Sequence, residues 1–283
     1  MKLIRNSIFR SASFCSRIII IGIELTRAFI KRLGTLTIAG KNWIDFACRV
    51  PIIRKLPLSF KLFGYRYIIF ISEMPLCYFV FYPEFEKSET ELVRRLKPKV
   101  FIDVGSHMGY YTMLVHKLGA EKIIAVDADA RTLRILTRAI AVNKLKNIIT
   151  IHRAVFDKSN VTLKLHLSTI AGRSSVFSQY LNLKNEYGGA SIVKTITLDE
   201  IAHALKLERI DMVKIDVEGA EYNVLWGANH VINRFRPIFL VEVKSKNQED
   251  IFKFFRANRY KVLGPLTFPE NYLFIPVERD YMV

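Results

Sequence analysis

From Lys99 to the C-terminus, apolar runs of strand length alternate with amphipathic runs of helix length, and few folds accommodate that rhythm. Lys99–Ser106 is an apolar strand, and residues 109–119 put Tyr111, Leu114, Val115 and Leu118 on one helical face. Lys122–Asp127 repeats the strand, and 130–143 repeats the helix with Leu133, Leu136 and Ile140 facing inward. Ile148–Val155 is a third strand. Met212–Val217 and Pro237–Lys244 are strands around a helix at 220–232, and a helix at 248–258 follows. The last two strands, Tyr260–Leu266 and Asn271–Val277, stand too close in sequence for a helical crossover, so they form a hairpin and one late strand runs antiparallel. The expectation is an α/β fold with a mostly parallel seven-stranded sheet covered on both faces. Ligands of such sheets bind outside the carboxyl ends of the strands, which places chemistry just after Asp103, Asp127, Val155, Asp216 and Glu242.

Three regions precede or complete this core: a basic helical extension at 1–57, a strand pair and helix at 58–98, and the α/β domain at 99–283. Segments 60–72 and 76–82 are rich in aromatic and β-branched residues and read as strands. A short helix at 84–96 ends before Pro98. Residues 161–197 read as irregular with strand-like pieces, and Thr197–Leu205 as a helix whose Thr197 and Glu200 have capping-box spacing. With 51% apolar and 24% charged residues, the 283-residue chain can bury a large core and is not of the disordered class. Cys15, Cys48 and Cys77 are odd in number and scattered, which argues against a disulfide framework or zinc site and for a reducing, cytoplasmic setting.

The formal net charge is +17, and residues 1–60 carry eleven Lys/Arg against only Glu24 and Asp45. The Ile18–Ile23 run is broken by Glu24 and Arg27, well short of the roughly 20 apolar residues of a membrane span. It also lacks the cleavage pattern of a secretory leader. On a helix, Arg17, Glu24, Arg27 and Lys31 share one face, with Ile18, Leu25, Phe29 and Ile30 elsewhere. Such a segment either lies on an anionic membrane surface as a peripheral anchor or packs on its own domain.

The first strand runs into Asp103-Val104-Gly105-Ser106-His107-Met108-Gly109. Gly105 allows a tight turn and close approach of a ligand to the main chain, and Gly109 allows close passage of the next helix. An acid before the first glycine differs from the GxGxxG fingerprint that cradles a pyrophosphate. It suits a ligand with a cationic amino-acid end and no phosphates, such as S-adenosylmethionine. Asp127, about 20 residues on, is placed to grip both hydroxyls of an adenosine ribose, a geometry that NAD shares. Asp129 behind it reads as a helix cap.

The densest cluster is Val213-Lys214-Ile215-Asp216-Val217-Glu218-Gly219-Ala220-Glu221, where extended backbone points Lys214, Asp216 and Glu218 to one side. Charges at the end of a buried strand are costly unless paired or catalytic. Asp216 is the candidate proton acceptor, Lys214 is either catalytic support or half of a structural ion pair, and Glu242 ends the neighbouring strand. The three acids Asp216, Glu218 and Glu242 also have the oxygen chemistry of a Mg²⁺ site, but pairing with Lys214 explains the same acids, so metal dependence is open and no metal ligand is assigned. Glu221 suits a helix N-terminus.

IDVGSHMGYYT, VDAD, TITLDE, MVKIDVEGAEYNVLWGA and FRPIFLVEV, in that order, resemble the FkbM family of S-adenosylmethionine-dependent methyltransferases over about residues 83–245. The resemblance implies a Rossmann-like class I methyltransferase fold and, usually, O-methylation of a hydroxyl on a sugar, glycolipid or small metabolite. It places Asp103, Gly105, Ser106, Gly109 and Asp127 at cofactor positions, with His107 where Asn is common. It places Asp216, Glu218 and Glu242 around the acceptor. Ala128 stands where the family usually has Pro, and Val243-Lys244 follow Glu242 where many members have His. The alternatives are an RNA-directed methyltransferase, suggested by charge and by 12% aromatic content, an NAD-dependent oxidoreductase, and a non-catalytic S-adenosylmethionine-binding protein. A nucleic-acid partner is disfavoured because no N/D-P-P-Y/F motif follows the fourth strand and no Pro-Cys nucleophile is present. Arg173, Ser174 and Ser175 are candidates for polar contacts in the acceptor wall.

Overall fold

Phe63 and Gly64 both adopt positive φ, the geometry of a two-residue hairpin turn, in the computed structural model of the chain. The expected single strand at 60–72 therefore folds back on itself as β1 (Pro57–Leu62) and β2 (Tyr65–Phe70). The structure describes residues 51–77, 85–169, 172–180, 187–266 and 270–282. The expected basic helix within 1–57 falls almost wholly outside these residues, as does most of the strand expected at 76–82. The described residues divide into two compact units, one holding 51–61 with Arg66–Pro75, the other Leu62–Tyr65 with the described residues from Leu76 on. The hairpin is flanked in sequence by short 3-10 turns at Ile53–Lys55 and Ile71–Leu76.

The second unit holds the alternating pattern. Helix α1 (Lys87–Leu96) stops at Lys97, which turns left-handed just before Pro98. Then follow β3 (Val100–Val104), α2 (Tyr110–Lys117), β4 (Lys122–Asp127), α3 (Ala130–Val142), β5 (Ile148–His152) and β6 (Ala154–Val155). Next come β7 (Thr162–Ser168), β8 (Tyr187–Ile196), α4 (Leu198–Ala204), β9 (Met212–Ile215), α5 (Glu221–Trp226), α6 (Asn229–Phe235) and β10 (Ile238–Glu242). Helix α7 (Gln248–Ala257), β11 (Tyr260–Leu263) and β12 (Asn271–Pro276) complete the series.

Seven strands form one sheet in the order β11-β12-β10-β9-β3-β4-β5, parallel except for β12, which runs antiparallel to β10 and β11. This is the sheet the alternation predicts. β3 and β9 are adjacent at its centre, with Asp103 opposite Lys214. Their apolar residues, Phe101, Ile102, Val104, Val213 and Ile215, are fully buried, each side chain contributing about 1.5–3 kcal/mol of burial. On the far side, Phe255 of α7 stacks on Phe274 of β12 with ring centroids 3.8 Å apart.

Two further departures have local causes. The helix expected over 220–232 is two helices, α5 and α6, joined at Gly227, where a Cβ would lie 2.2 Å from the Phe156 carbonyl oxygen. The stretch 161–197 is more ordered than its sequence suggests: β7 and β8 pair antiparallel, and β6 joins β8 to make a small three-stranded sheet. Two caps match expectation: Thr197 Oγ1 accepts from Glu200 N at 3.0 Å, and Asp129 Oδ1 accepts from Arg131 N at 2.9 Å. No helix among the described residues is long and apolar enough to cross a membrane.

Candidate active site

The carboxyl end of β3 closes into a turn that only glycine permits. Gly105 has φ +77, and a Cβ there would lie 1.7 Å from the Asp216 carbonyl oxygen, so the main chain after β9 passes directly over it. The Gly105 and Ser106 amides both donate to the Val126 carbonyl, at 2.9 and 3.1 Å, which ties the turn to β4. Gly109 (φ +89) lets α2 pass α3, where a Cβ would meet Leu136 at 2.4 Å.

Beside this turn opens a cavity at the carboxyl ends of the strands. Its lining includes Gly105, His107 and Asp127, the apolar Val155, Phe156 and Leu165, and the acids Asp216 and Glu218. Asp127 Oδ2 accepts from the His107 amide at 2.6 Å and Oδ1 from the Asp129 amide at 2.7 Å, so each oxygen keeps capacity for a further donor. Burial pushes the Asp127 carboxyl up to about 7, against the two amides. Burial likewise lowers His107 to about 4, leaving a neutral ring whose Nε2 accepts from the Gly172 amide at 3.2 Å. A ribose-gripping carboxylate, an apolar wall for a flat base, and a glycine turn without cationic side chains fit S-adenosylmethionine.

Not every expected cofactor residue lines this cavity. Asp103 is 1% exposed and its Oδ2 accepts from the Thr112 amide at 3.0 Å and the Thr112 hydroxyl at 2.6 Å, so it braces the start of α2. Ser106 is buried, and its hydroxyl has no hydrogen-bond partner among the described residues. Ser174, in contrast, reaches the site: its hydroxyl donates to Asp129 Oδ2 at 2.9 Å, beside the Arg131 guanidinium that bridges Asp129 to the Ser168 carbonyl. Ser175 donates to the Glu218 carbonyl at 2.7 Å, whereas Arg173 is exposed and outside the cavity lining.

The acidic cluster gathers residues from the ends of two neighbouring strands, β9 and β10. Lys214 Nζ donates to Asp216 Oδ2 at 2.7 Å and lies 5.0 Å from the centre of the Tyr111 ring. Glu218 holds a left-handed backbone (φ +54), and the next residue, Gly219, has its Cα face against the Tyr180 ring, which a Cβ would approach to 2.1 Å. A non-glycine residue in that conformation stores about 1 kcal/mol or more of strain, a feature of functional turns. Carboxylate oxygens of Asp216, Glu218 and Glu242 all fall within 4.8 Å of one another. Glu221 stabilises the turn by accepting from the Gly219 amide at 2.8 Å.

Burial works against charge on all these acids, and their neighbours decide which one ionises. For Asp216 the Lys214 ammonium, a Glu242 hydrogen bond and Lys244 outweigh burial and hold the carboxyl below its ordinary range. For Glu242 burial, Asp216 and Glu218 together push the carboxyl well up, and burial with Asp216 raises Glu218 to about 7. Within the cluster Asp216 is thus the acid most favoured to ionise and Glu242 the least.

Three participants carried no readable signal as site residues. Lys244, recognised only as a departure after Glu242, contacts Glu218, Glu242 and Glu270 at 3.1, 2.9 and 3.0 Å. Glu86, from the stretch expected to be helical, precedes α1 in a left-handed turn and is 8% exposed, with Lys214, Asp216 and Tyr111 as its charged and polar neighbours. Tyr111 was legible only as one residue of an apolar helix face.

The sequence profile of the methyltransferase FkbM domain matches residues 103–262, more than half of the chain. No curated protein matches. Among solved structures, a methyltransferase FkbM from Methylobacillus flagellatus KT shares 14% identity over 63% of this chain, with TM-score 0.46. This chain covers 44% of that protein's length. An O-methyltransferase from Bacillus cereus in complex with SAH shares 11% identity over 72% of this chain and 84% of its own, with TM-score 0.44. The M. jannaschii TYW2 in complex with AdoMet shares 13% over 77% of this chain and 83% of its own, with TM-score 0.43.

Proposed function

Because this chain belongs to the FkbM methyltransferase family, whose cofactor is S-adenosylmethionine, we propose that it methylates a hydroxyl oxygen on a sugar, glycolipid or small metabolite. The observation that carries the reading is the acidic cluster beside the cavity, where carboxylate oxygens of Asp216, Glu218 and Glu242 lie within 4.8 Å of one another, with Lys214 favouring the charged form of Asp216 and burial favouring the neutral form of Glu242. A hydroxyl acceptor needs a carboxylate to receive its hydrogen and a donor to orient its oxygen, and this pair offers both. Bound S-adenosylmethionine supplies an electrophilic methyl carbon.

Asp216 accepts the acceptor's O–H and takes its proton as the oxygen becomes a methyl ether, while Lys214 keeps that carboxylate in place and ionised until then. Glu218 and Glu242 hold neighbouring hydroxyls. Asp127 grips the ribose, and Val155, Phe156 and Leu165 exclude water around the base. Much of the rate enhancement is positioning, since methyl transfer demands an in-line approach.

The reading is tested by incubating the full chain with methyl-labelled S-adenosylmethionine and separate pools of glycans, lipids, small metabolites and RNA. Label in an alkali-stable, acid-resistant methyl ether supports it. Label only in RNA bases or in amines overturns it.

A further inference from the structure

We propose that Lys244 is the resident cation of the acceptor end of the site: its tethered ammonium holds the place among Glu218, Glu242 and Glu270 that a divalent metal would otherwise take. In doing so it positions Glu218 and Glu242 toward the acceptor. The inference rests on the reading of the acidic end as the acceptor's side of the cavity. The titration below senses only the charge arrangement, so it can fail while hydroxyl methylation stands, and the reverse.

Geometry supports it first. An ammonium has three donors and no acceptor. Lys244 Nζ lies 3.1, 2.9 and 3.0 Å from carboxylate oxygens of Glu218, Glu242 and Glu270, ion-pair distances of which the Glu270 contact is a hydrogen bond, with 16% of its side chain exposed. Asp216 is already neutralised by Lys214 at 2.7 Å, so the other three acids share this one charge.

The backbone fixes the arrangement. Lys244 is extended (φ −65, ψ 137), so it follows Glu242 on the same side of the chain leaving β10. Val243 between them is 2% exposed, and its amide donates to the Glu270 carbonyl at 2.6 Å, which brings Glu270 alongside. Three residues on, Asn247 Nδ2 donates to the Gly219 carbonyl at 3.0 Å and anchors the Glu218 turn to the same segment. Lys244 is therefore tied to Glu218, Glu242 and Glu270 through the main chain as well as through its ammonium.

Chemistry makes the consequence specific. Clustered carboxylates are the ligand type of Mg²⁺, Mn²⁺ and Ca²⁺. Deleting the ammonium without deleting an acid should convert a filled cation position into an open one.

The full chain is titrated with Mn²⁺, and free metal is followed by electron paramagnetic resonance, in the wild type, Lys244→Met and Lys244→Arg. The wild type and Lys244→Arg should bind weakly or not at all. Lys244→Met should take up one equivalent with affinity raised roughly tenfold or more, and adding Glu242→Gln should abolish that gain. Wild-type binding of one Mn²⁺ that Glu218→Gln or Glu242→Gln removes would overturn the proposal. So would a folded Lys244→Met that binds Mn²⁺ no better than the wild type, or a Lys244→Arg that binds as Lys244→Met does. Should Lys244→Met not fold, Lys244→Gln, which keeps a donor among the same oxygens, is read in its place, and the wild-type arm stands by itself.

Discussion

The Lys214 ammonium donates to Asp216 Oδ2 at 2.7 Å, and the two partners are unequally buried: the lysine side chain is 6% exposed and the aspartate 26%. The pair points its carboxylate at the cavity and its ammonium into the sheet, over the Tyr111 ring. Burial alone would neutralise Lys214, but Asp216, Glu86 and Asp103 outweigh it and keep the ammonium charged. Lys214→Met should therefore cost about 3 kcal/mol of stability, the low end for breaking a buried pair, because Asp216 keeps some solvent. Denaturant unfolding of the two proteins checks this, and a loss near zero would show that the pair is not structural.

Glu86 predicts an unusual pH response. Burial raises its carboxyl to about 7, with Asp216 and Glu89 adding to the rise and Lys214 and the Tyr111 hydroxyl opposing it. A carboxyl raised on folding contributes stability at low pH and loses it as pH rises from about 4.5 toward 7. Glu86→Gln removes that loss. Its stability relative to the wild type should improve between pH 5 and pH 8, by up to about 3 kcal/mol for a shift of this size. Chemical unfolding at both pH values decides it, and a pH-independent difference would place the ionised form comfortably in the fold.

How much of this was readable from the chain depends on whether the information was local. The sheet, its antiparallel late strand and the caps at Thr197 and Asp129 follow from periodicity and from short-range hydrogen bonding. Asp216, Glu218 and Glu242 were legible as a cluster because strand ends in parallel sheets meet. The roles within the cluster were not. Three carboxylates compete for two ammonium groups, and Lys244 enters from a turn after β10 whose direction depends on Asn247 and Gly219. Asp103 illustrates the opposite case: its position before the glycine turn suggests ligand contact, but Thr112 on the following helix takes its carboxylate. Glu86 reaches the site because the chain reverses through a left-handed residue before α1, and nothing in its sequence announces that.

The cofactor end gives a graded series. Asp127→Ala removes an acceptor for two hydroxyls, and S-adenosylmethionine affinity should fall by about 1.5–3 kcal/mol with the fold retained. Gly105→Ala should be worse for folding than for binding, since its Cβ would overlap the Asp216 carbonyl at 1.7 Å. Calorimetric titration and thermal melts separate the two. Equal affinity in Asp127→Ala and the wild type would remove the ribose assignment.

Residues 1–57 supply a separate test. Their excess of basic residues supports the proposal that they dock the enzyme on an anionic membrane surface, at about 1 kcal/mol per residue near the surface. Partition onto phosphatidylserine vesicles should fall with added salt and with removal of 1–57. Equal partition of the full and shortened chains at low salt would end the idea.

The last prediction concerns turnover. Asp216→Asn preserves the shape of the side chain and an acceptor oxygen but abolishes its capacity to take a proton, and it leaves Lys214 without a charged partner. Because the ribose is assigned to Asp127 and not to Asp216, S-adenosylmethionine affinity should change little. Methyl transfer should fall by about 10²–10⁴, the range for a positioned acid–base group. The loss should also respond to pH differently from the wild type. In the wild type Asp216 is held below the ordinary carboxylate range, so activity should need no deprotonation of that group near neutrality. In the variant the burden passes to Glu218, whose carboxyl burial still raises although the Asp216 charge no longer does, and residual activity should climb with pH as that group ionises. Single-turnover transfer from labelled S-adenosylmethionine to the acceptor, measured from pH 6 to 9 in both proteins, reads both effects. Near-normal transfer in Asp216→Asn would remove the residue from proton transfer and make Glu218 the base in the wild type as well.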